Sequence, residues 1–231
     1  MVDLNPNSEE PLSKPPTDAG AGQTCRIPPR QQPYEQAFEL GFDSLMSLSP
    51  SDEQLGALGA VRRGSVIRIP ALHHHLLIDQ EAREVSVEDA GRARRAWAIL
   101  ALHYLCADDV SLDPREVSLG HFADCRGYLD VFANRIIRRF LGTAGRDPQL
   151  FAERAEQIGG ARLERPGLAY RFDVFPRVPI VIVRYEGDDE LGAGASVIYR
   201  ADAEHLLPAE DRIVAAELLL DALSGKSLEE K

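Results

Sequence analysis

The chain has 231 residues, 44% of them hydrophobic, which suffices for a substantial core built as one large domain or two small ones. Its 37 acidic against 26 basic residues give a net charge of −11, which excludes nucleic acid and anionic membrane surfaces as expected partners, because both are gripped through clustered Lys and Arg. Cys25, Cys106 and Cys125 form no C-x-x-C pair and are odd in number, so neither a disulfide framework nor a cluster-binding motif follows.

Met1 to about Gln32 is rich in Pro, Ser, Gly and charge, and Pro6, Pro11, Pro15, Pro16, Pro28 and Pro29 break any regular ladder. The expected organisation is a disordered leader over residues 1–32, a single α+β domain over 33–225 and a charged tail over 226–231. Two sub-domains joined across Ala107 to Ser118 are the alternative. The start of the chain lacks a basic region followed by an apolar one, and no run approaches the roughly 20 apolar residues of a spanning helix. A cytoplasmic protein without a membrane partner is therefore expected.

Glu35 to Leu48 places Phe38, Phe42, Leu45 and Met46 at helical spacing. Ser51, with Glu53 and Gln54 behind it, is an N-cap signal for a further short helix. From Gly64 the pattern becomes β: Val66 to Ile69, a turn at Pro70-Ala71, Leu72 to Asp79, a turn at Gln80 to Arg83, then Glu84 to Val87, an antiparallel meander. Ala90 to Ala107 predicts a long helix with Ala93, Trp97, Leu100, His103 and Tyr104 near one face, although Arg92, Arg94 and Arg95 oppose the dipole at its start. Asp109 to Pro114 reads as a loop, and Ser118 to Asp124 as a loop with a short strand or turn. Leu129 to Leu141 is helical again, and Asp147-Pro148 caps a short helix stopped by Gly159-Gly160.

The remaining stretch, Tyr170 to Leu223, organises the whole. Ile180 to Val183 is apolar at every residue and predicts a buried central strand, flanked by strands before Pro176 and at Val197 to Tyr199. Pro208, Glu210 and Asp211 open a closing helix, and Gly225 ends it. The fold expected is α+β, with one antiparallel sheet joining the Val66 to Val87 meander to the Tyr170 to Tyr199 strands, and helices mostly on one face.

Phe175-Pro176-Arg177-Val178-Pro179-Ile180, Tyr185-Glu186-Gly187-Asp188-Asp189-Glu190-Leu191 and Leu207-Pro208-Ala209-Glu210-Asp211 resemble, as a set, the signature of domain of unknown function family 3786. The resemblance extends upstream through Leu102-His103-Tyr104-Leu105 and Ile158-Gly159-Gly160, over most of the chain after Pro33. Tyr185 stands where that family usually shows Trp, and Arg200 where an acidic residue is common. The resemblance implies a prokaryotic protein, found largely in anaerobes, and no settled activity.

Glu186, Asp188, Asp189 and Glu190 place four carboxylates within five residues, which can hold a hard cation, or can be the solvated tip of a tight hairpin at Gly187-Asp188. His73 and His75, on one face of a strand, make half of a zinc site that needs a third ligand such as His103, His121, Cys106 or a carboxylate. His103 beside Tyr104 on an apolar helix is either a satisfied core histidine or an axial ligand or general base. With Tyr185 these two form the candidate cofactor-binding set; the cofactor itself is unknown. Gly192 to Ser196 is rejected as a phosphate loop because a strand, not a helix, follows it. The function expected is a non-catalytic accessory protein that binds an unknown ligand, cofactor or protein partner. The alternative is a metal-dependent hydrolase or lyase using His73, His75, His103 and Asp188 or Glu190.

Overall fold

The computed structural model describes residues 32–107, 111–188 and 192–230. The expected leader therefore lies outside the described residues, except for its last position. The fold is α+β, as expected, and the strands are antiparallel throughout the described residues. They form two sheets rather than one.

The first sheet is the meander, in the order β1 (Val61–Arg63), β2 (Val66–Ala71), β3 (His74–Asp79), β4 (Glu84–Val87). Strand β2 runs on through Pro70, which pairs with His75 and lies beyond the end of β1, at a local edge where a missing N–H is tolerated. The turn falls instead at Leu72 and His73, with Leu72 at φ 52°. The second sheet has the order β5 (Glu116–Ser118), β9 (Gly194–Arg200), β8 (Val178–Tyr185), β7 (Leu168–Phe175), β6 (Ala161–Leu163). Strand β8 is buried at every residue but the last, and lies in the middle, as its uninterrupted apolar run predicts. One backbone hydrogen bond, from Leu72 N to Asp173 O at 3.1 Å, ties the end of the meander to β7. Strand β6 covers only Ala169 to Arg171 of β7, and on the edge beyond it this bond does not extend into a ladder, so the two sheets stay separate. Side chains from both meet in one core: Ile67, Ile69, Leu76 and Ile78 from the meander, Phe172, Val174, Ile180 and Ile182 from the second sheet.

The helices occupy one side of the second sheet. On the other side Ala169, Val181 and Val183 form a small cluster flanked within the sheet by their cross-strand neighbours Leu163 and Ile198, and the loop after β6 is anchored by a two-point ion pair from Arg165 to Glu116, 2.7 and 2.9 Å.

Helix α1 (Gln32–Leu48) is followed by α2 (Asp52–Ala57), whose start is a reciprocal capping box: Gln54 N donates to Ser51 Oγ, and Ser51 N to Gln54 Oε1. The next helix, α3, spans Arg95–Leu105, shorter than its apolar pattern suggests. Ala93 N and Arg94 N donate to Val85 O and Leu228 O, so they are committed to the sheet and to the C-terminal segment before the helix can begin. Its eight buried residues include Trp97 and Tyr104, both against Phe175. Helix α1 runs parallel to it: Glu35 pairs with Arg95 at 2.8 Å, and further along Gly41 lies against Leu102.

The predicted Leu129 to Leu141 helix is present in three parts: α4 (Leu129–Phe132), a π-helical segment (Ala133–Arg138) and α5 (Arg139–Gly142). Helix α6 (Pro148–Gln157) is capped by Asp147, which accepts from Leu150 N at 2.9 Å. A short α7 (Ala203–Leu206) leads to α8 (Ala209–Leu223), which ends at Gly225 with φ 84°. Residues 226–230 lie alongside the start of α3, with Leu228 buried and Glu230 N bonded to Arg92 O.

Candidate functional site

Helices α3 and α8 pack antiparallel, and each end of their contact carries an ion pair. Near the start of α3, Arg94 donates to Asp221 at 2.8 Å; near its end, His103 Nδ1 donates to Asp211 Oδ2 at 2.6 Å. The carboxylate raises the pKa of His103 above its ordinary value, against an opposing effect of burial. Both aspartates interrupt an otherwise apolar face of α8, and both are buried.

A groove of about 470 Å³ lies over this seam. Tyr34 of α1, Arg94 and Ala96 stand on one side; Tyr128, Val131, Arg135 and Arg139 stand on the other. The floor is α8, through Ile213, Val214 and Leu218, with Glu210 towards one end and Asp221 at the other. The wall opposite α3 includes the π-helical segment, whose extra residue per turn re-aims side chains and is frequent at functional sites. It presents Arg135, which pairs with Glu217 of the floor helix α8 at 2.8 Å. Tyr34, Tyr128 and Val131 are exposed, so the rim is aromatic and apolar.

At the Asp221 end three cations meet one carboxylate. Arg94 holds Oδ2, while Arg139 and Lys226 both hold Oδ1, Lys226 at 2.9 Å. Burial pushes the Asp221 carboxyl up, but the hydrogen bonds from Arg94, Arg139 and Lys226 outweigh it and bring it down to about 2.

The residues singled out in the sequence are dispersed. Tyr104 is a core residue: its hydroxyl donates to Leu58 O at 2.8 Å and accepts from Arg177 N at 3.2 Å, and burial raises its pKa far beyond the ordinary range. It therefore locks the Phe175-Pro176-Arg177 corner to α3. Tyr185 lies at the exposed far end of β8, about 23 Å along the strand from that corner. There, with Glu186, Arg162, Gln149 and Leu168, it lines a more open groove. His103, Tyr104 and Tyr185 are thus not gathered in one place.

His73 belongs to the turn before β3, so His73 and His75 do not share a strand face as expected; His73 packs on His74 instead, ring centroids 3.9 Å apart. His75 Nδ1 is 3.2 Å from Glu88, which Arg68 also grips. Glu186 and Asp188 are exposed, whereas Asp189 and Glu190 lie outside the described residues. Among the described residues no group of three or more His, Cys, Asp or Glu is placed to hold a metal ion. Burial lifts the Cys106 thiol to about 11, which suits a packed side chain rather than a ligand.

The groove residues Arg135, Arg139, Asp221 and Lys226 were not recognised from sequence. The signal available was Asp221 itself, a lone charge inside Leu218-Leu219-Leu220-Asp221-Ala222-Leu223. A carboxylate in such a run needs a buried cationic partner.

The helical layer with its groove and the two antiparallel sheets define an α+β protein with no helix, among the described residues, long and apolar enough to cross a membrane. Over residues 52–222 the chain matches the family described as Domain of unknown function (DUF3786), and it belongs to that family. No curated protein and no solved structure matches it.

Proposed function

We propose that the protein acts by binding rather than by bond chemistry, as an accessory protein whose site is the groove over the α3–α8 seam, and that its ligand is a small molecule. The observation that carries this reading is the combination of size and lining. A volume of about 470 Å³ lies within the range of roughly 300–1,000 Å³ typical of small-molecule sites. Apolar Ile213, Val214 and Leu218 line the floor below Val131 on the rim, the Arg135–Glu217 ion pair lies midway, and further charged groups are fixed at the ends. Neither a histidine nor a cysteine lines it among the described residues, so imidazole and thiolate chemistry has no agent there, and the carboxylates of Glu217 and Asp221 are engaged in ion pairs with Arg135 and with Arg94, Arg139 and Lys226.

Native mass spectrometry of protein purified gently from its native host tests this. Val131 is exposed on the rim, so Val131→Trp fills the groove without disturbing the core. The wild type is expected to carry a small-molecule adduct that the variant lacks, at equal melting temperature. An adduct retained equally by both, or none on the wild type, would overturn the reading.

A further inference from the structure

We propose that the Asp221 end of the groove is an oxyanion subsite, which takes the carboxylate or phosphate group of an organic ligand whose apolar body lies on Val131, Ile213, Val214 and Leu218. This rests on the groove being the binding site, and names the chemical class that it takes.

The argument starts from charge. A buried carboxylate needs one cation to be neutralised. Asp221 has three, so among the described residues that end of the groove holds an excess of two positive charges in a protein whose net charge is −11. Like charges held this close repel; Arg94 also donates to Ser227 O and so docks the C-terminal segment, and the C-terminal end of α8 favours cations, but one carboxylate does not neutralise three of them. The carboxylate lies underneath and the cations above it: the side chain of Asp221 is 10% exposed, against 28% for Arg94, 31% for Arg139 and 57% for Lys226. Arg139 and Lys226 each give Asp221 one N–H. A guanidinium has five donors and an ammonium three, so donors remain on the open side. Asp221 in this arrangement orients the donors, and an incoming oxyanion meets a preformed set from three different segments of the chain.

The rest of the groove restricts what can carry that anion. Arg135 is engaged by Glu217 midway, and Glu210 stands near the opposite end, so a second negative group there is repelled. About 16 Å of helix separates Glu210 from Asp221. The fitting ligand is an anion at one end only, with an uncharged middle that lies on Ile213, Val214 and Leu218 beside the Arg135–Glu217 pair and, at the Tyr34 and Tyr128 rim, room for a ring.

Calorimetric titration at low ionic strength with pyrophosphate, with citrate and with inorganic phosphate tests the subsite on the full chain. The phosphate probes and the tricarboxylate distinguish the two possible head groups. Lys226→Gln is the informative variant, because Arg94 and Arg139 still neutralise Asp221 and the fold survives. Arg83→Gln, which removes a cation paired with Glu39 and Asp43, is the control for net charge. At least one probe is expected to bind the wild type and the Arg83→Gln protein alike, and to bind Lys226→Gln about tenfold more weakly, the loss of one charge-assisted hydrogen bond. Absence of binding by all three probes, or equal weakening in both variants, would overturn the subsite. If Val131→Trp still abolishes the natural adduct in that event, the groove stands and only its anion selectivity falls.

Discussion

His103 and Asp211 stand 2.6 Å apart across the α3–α8 contact, at the opposite end of that contact from Arg94 and Asp221. The pair closes the seam beyond the groove, and it titrates. Because the carboxylate raises the His103 pKa in the folded state, its contribution to stability is complete below the unfolded value of about 6.5 and is lost as pH rises through the folded pKa. Urea unfolding between pH 5.5 and 9 should show stability falling over that upper window. In His103→Gln this slope should vanish, and stability at pH 6 should drop by about 2 kcal/mol, the worth of a hydrogen bond to a charged group. An unchanged slope in the variant would show that other groups carry it.

The carboxylate of Asp221 has the opposite sign. Its pKa is lowered to about 2, so its contribution is present above the unfolded carboxylate value and is lost as pH falls through the folded one. Asp221→Asn leaves three cations around a neutral amide and should cost about 3 kcal/mol at pH 7. Its acid unfolding should also begin from a lower plateau, with a shallower dependence below pH 4.

Gly59, at φ 76°, faces the Phe175-Pro176-Arg177 corner, and a Cβ added there would lie 2.6 Å from Pro176 Cβ. Both the backbone conformation and the contact exclude a side chain. Gly59→Ala should destabilise by about 2 kcal/mol or more, measured as a shifted urea midpoint with unchanged slope.

Much of the local architecture was legible in the sequence because it is decided locally. Asp147-Pro148 and Ser51 with Gln54 cap helices as their chemistry requires, and the apolar run from Ile180 to Val183 is the central strand. The division into two sheets was not, since which strands pair depends on contacts between distant segments. The π-helical segment also escaped, because its Arg and Ile spacing satisfies an ordinary helix over so few residues. The site was less legible still: Arg94 and Asp221 are 127 residues apart, and His103 and Asp211 are 108 apart. Each reads alone as a helix-surface charge or a dipole partner. Among the described residues neither the histidine run nor Glu186 and Asp188 of the acidic turn, conspicuous as text, belongs to a group of three or more residues placed to hold a metal ion.

We further propose that residues 33–225 behave as one domain, since both sheets and α3 contribute to one core. Limited proteolysis should trim the chain to a single resistant fragment beginning near residue 33. Two stable fragments divided between Ala107 and Ser118 would instead identify separate sub-domains.

The claim that the groove over α3 and α8 is the binding site is tested most directly by chemical-shift mapping of the isotope-labelled protein against a small-molecule extract of its native host. The account predicts amide shifts concentrated at Ala96, Val131, Arg135 and Ile213 to Leu218, abolished by Val131→Trp. Shifts confined to Tyr185 to Asp188 or to His73 to His75, with the groove unperturbed, would contradict it.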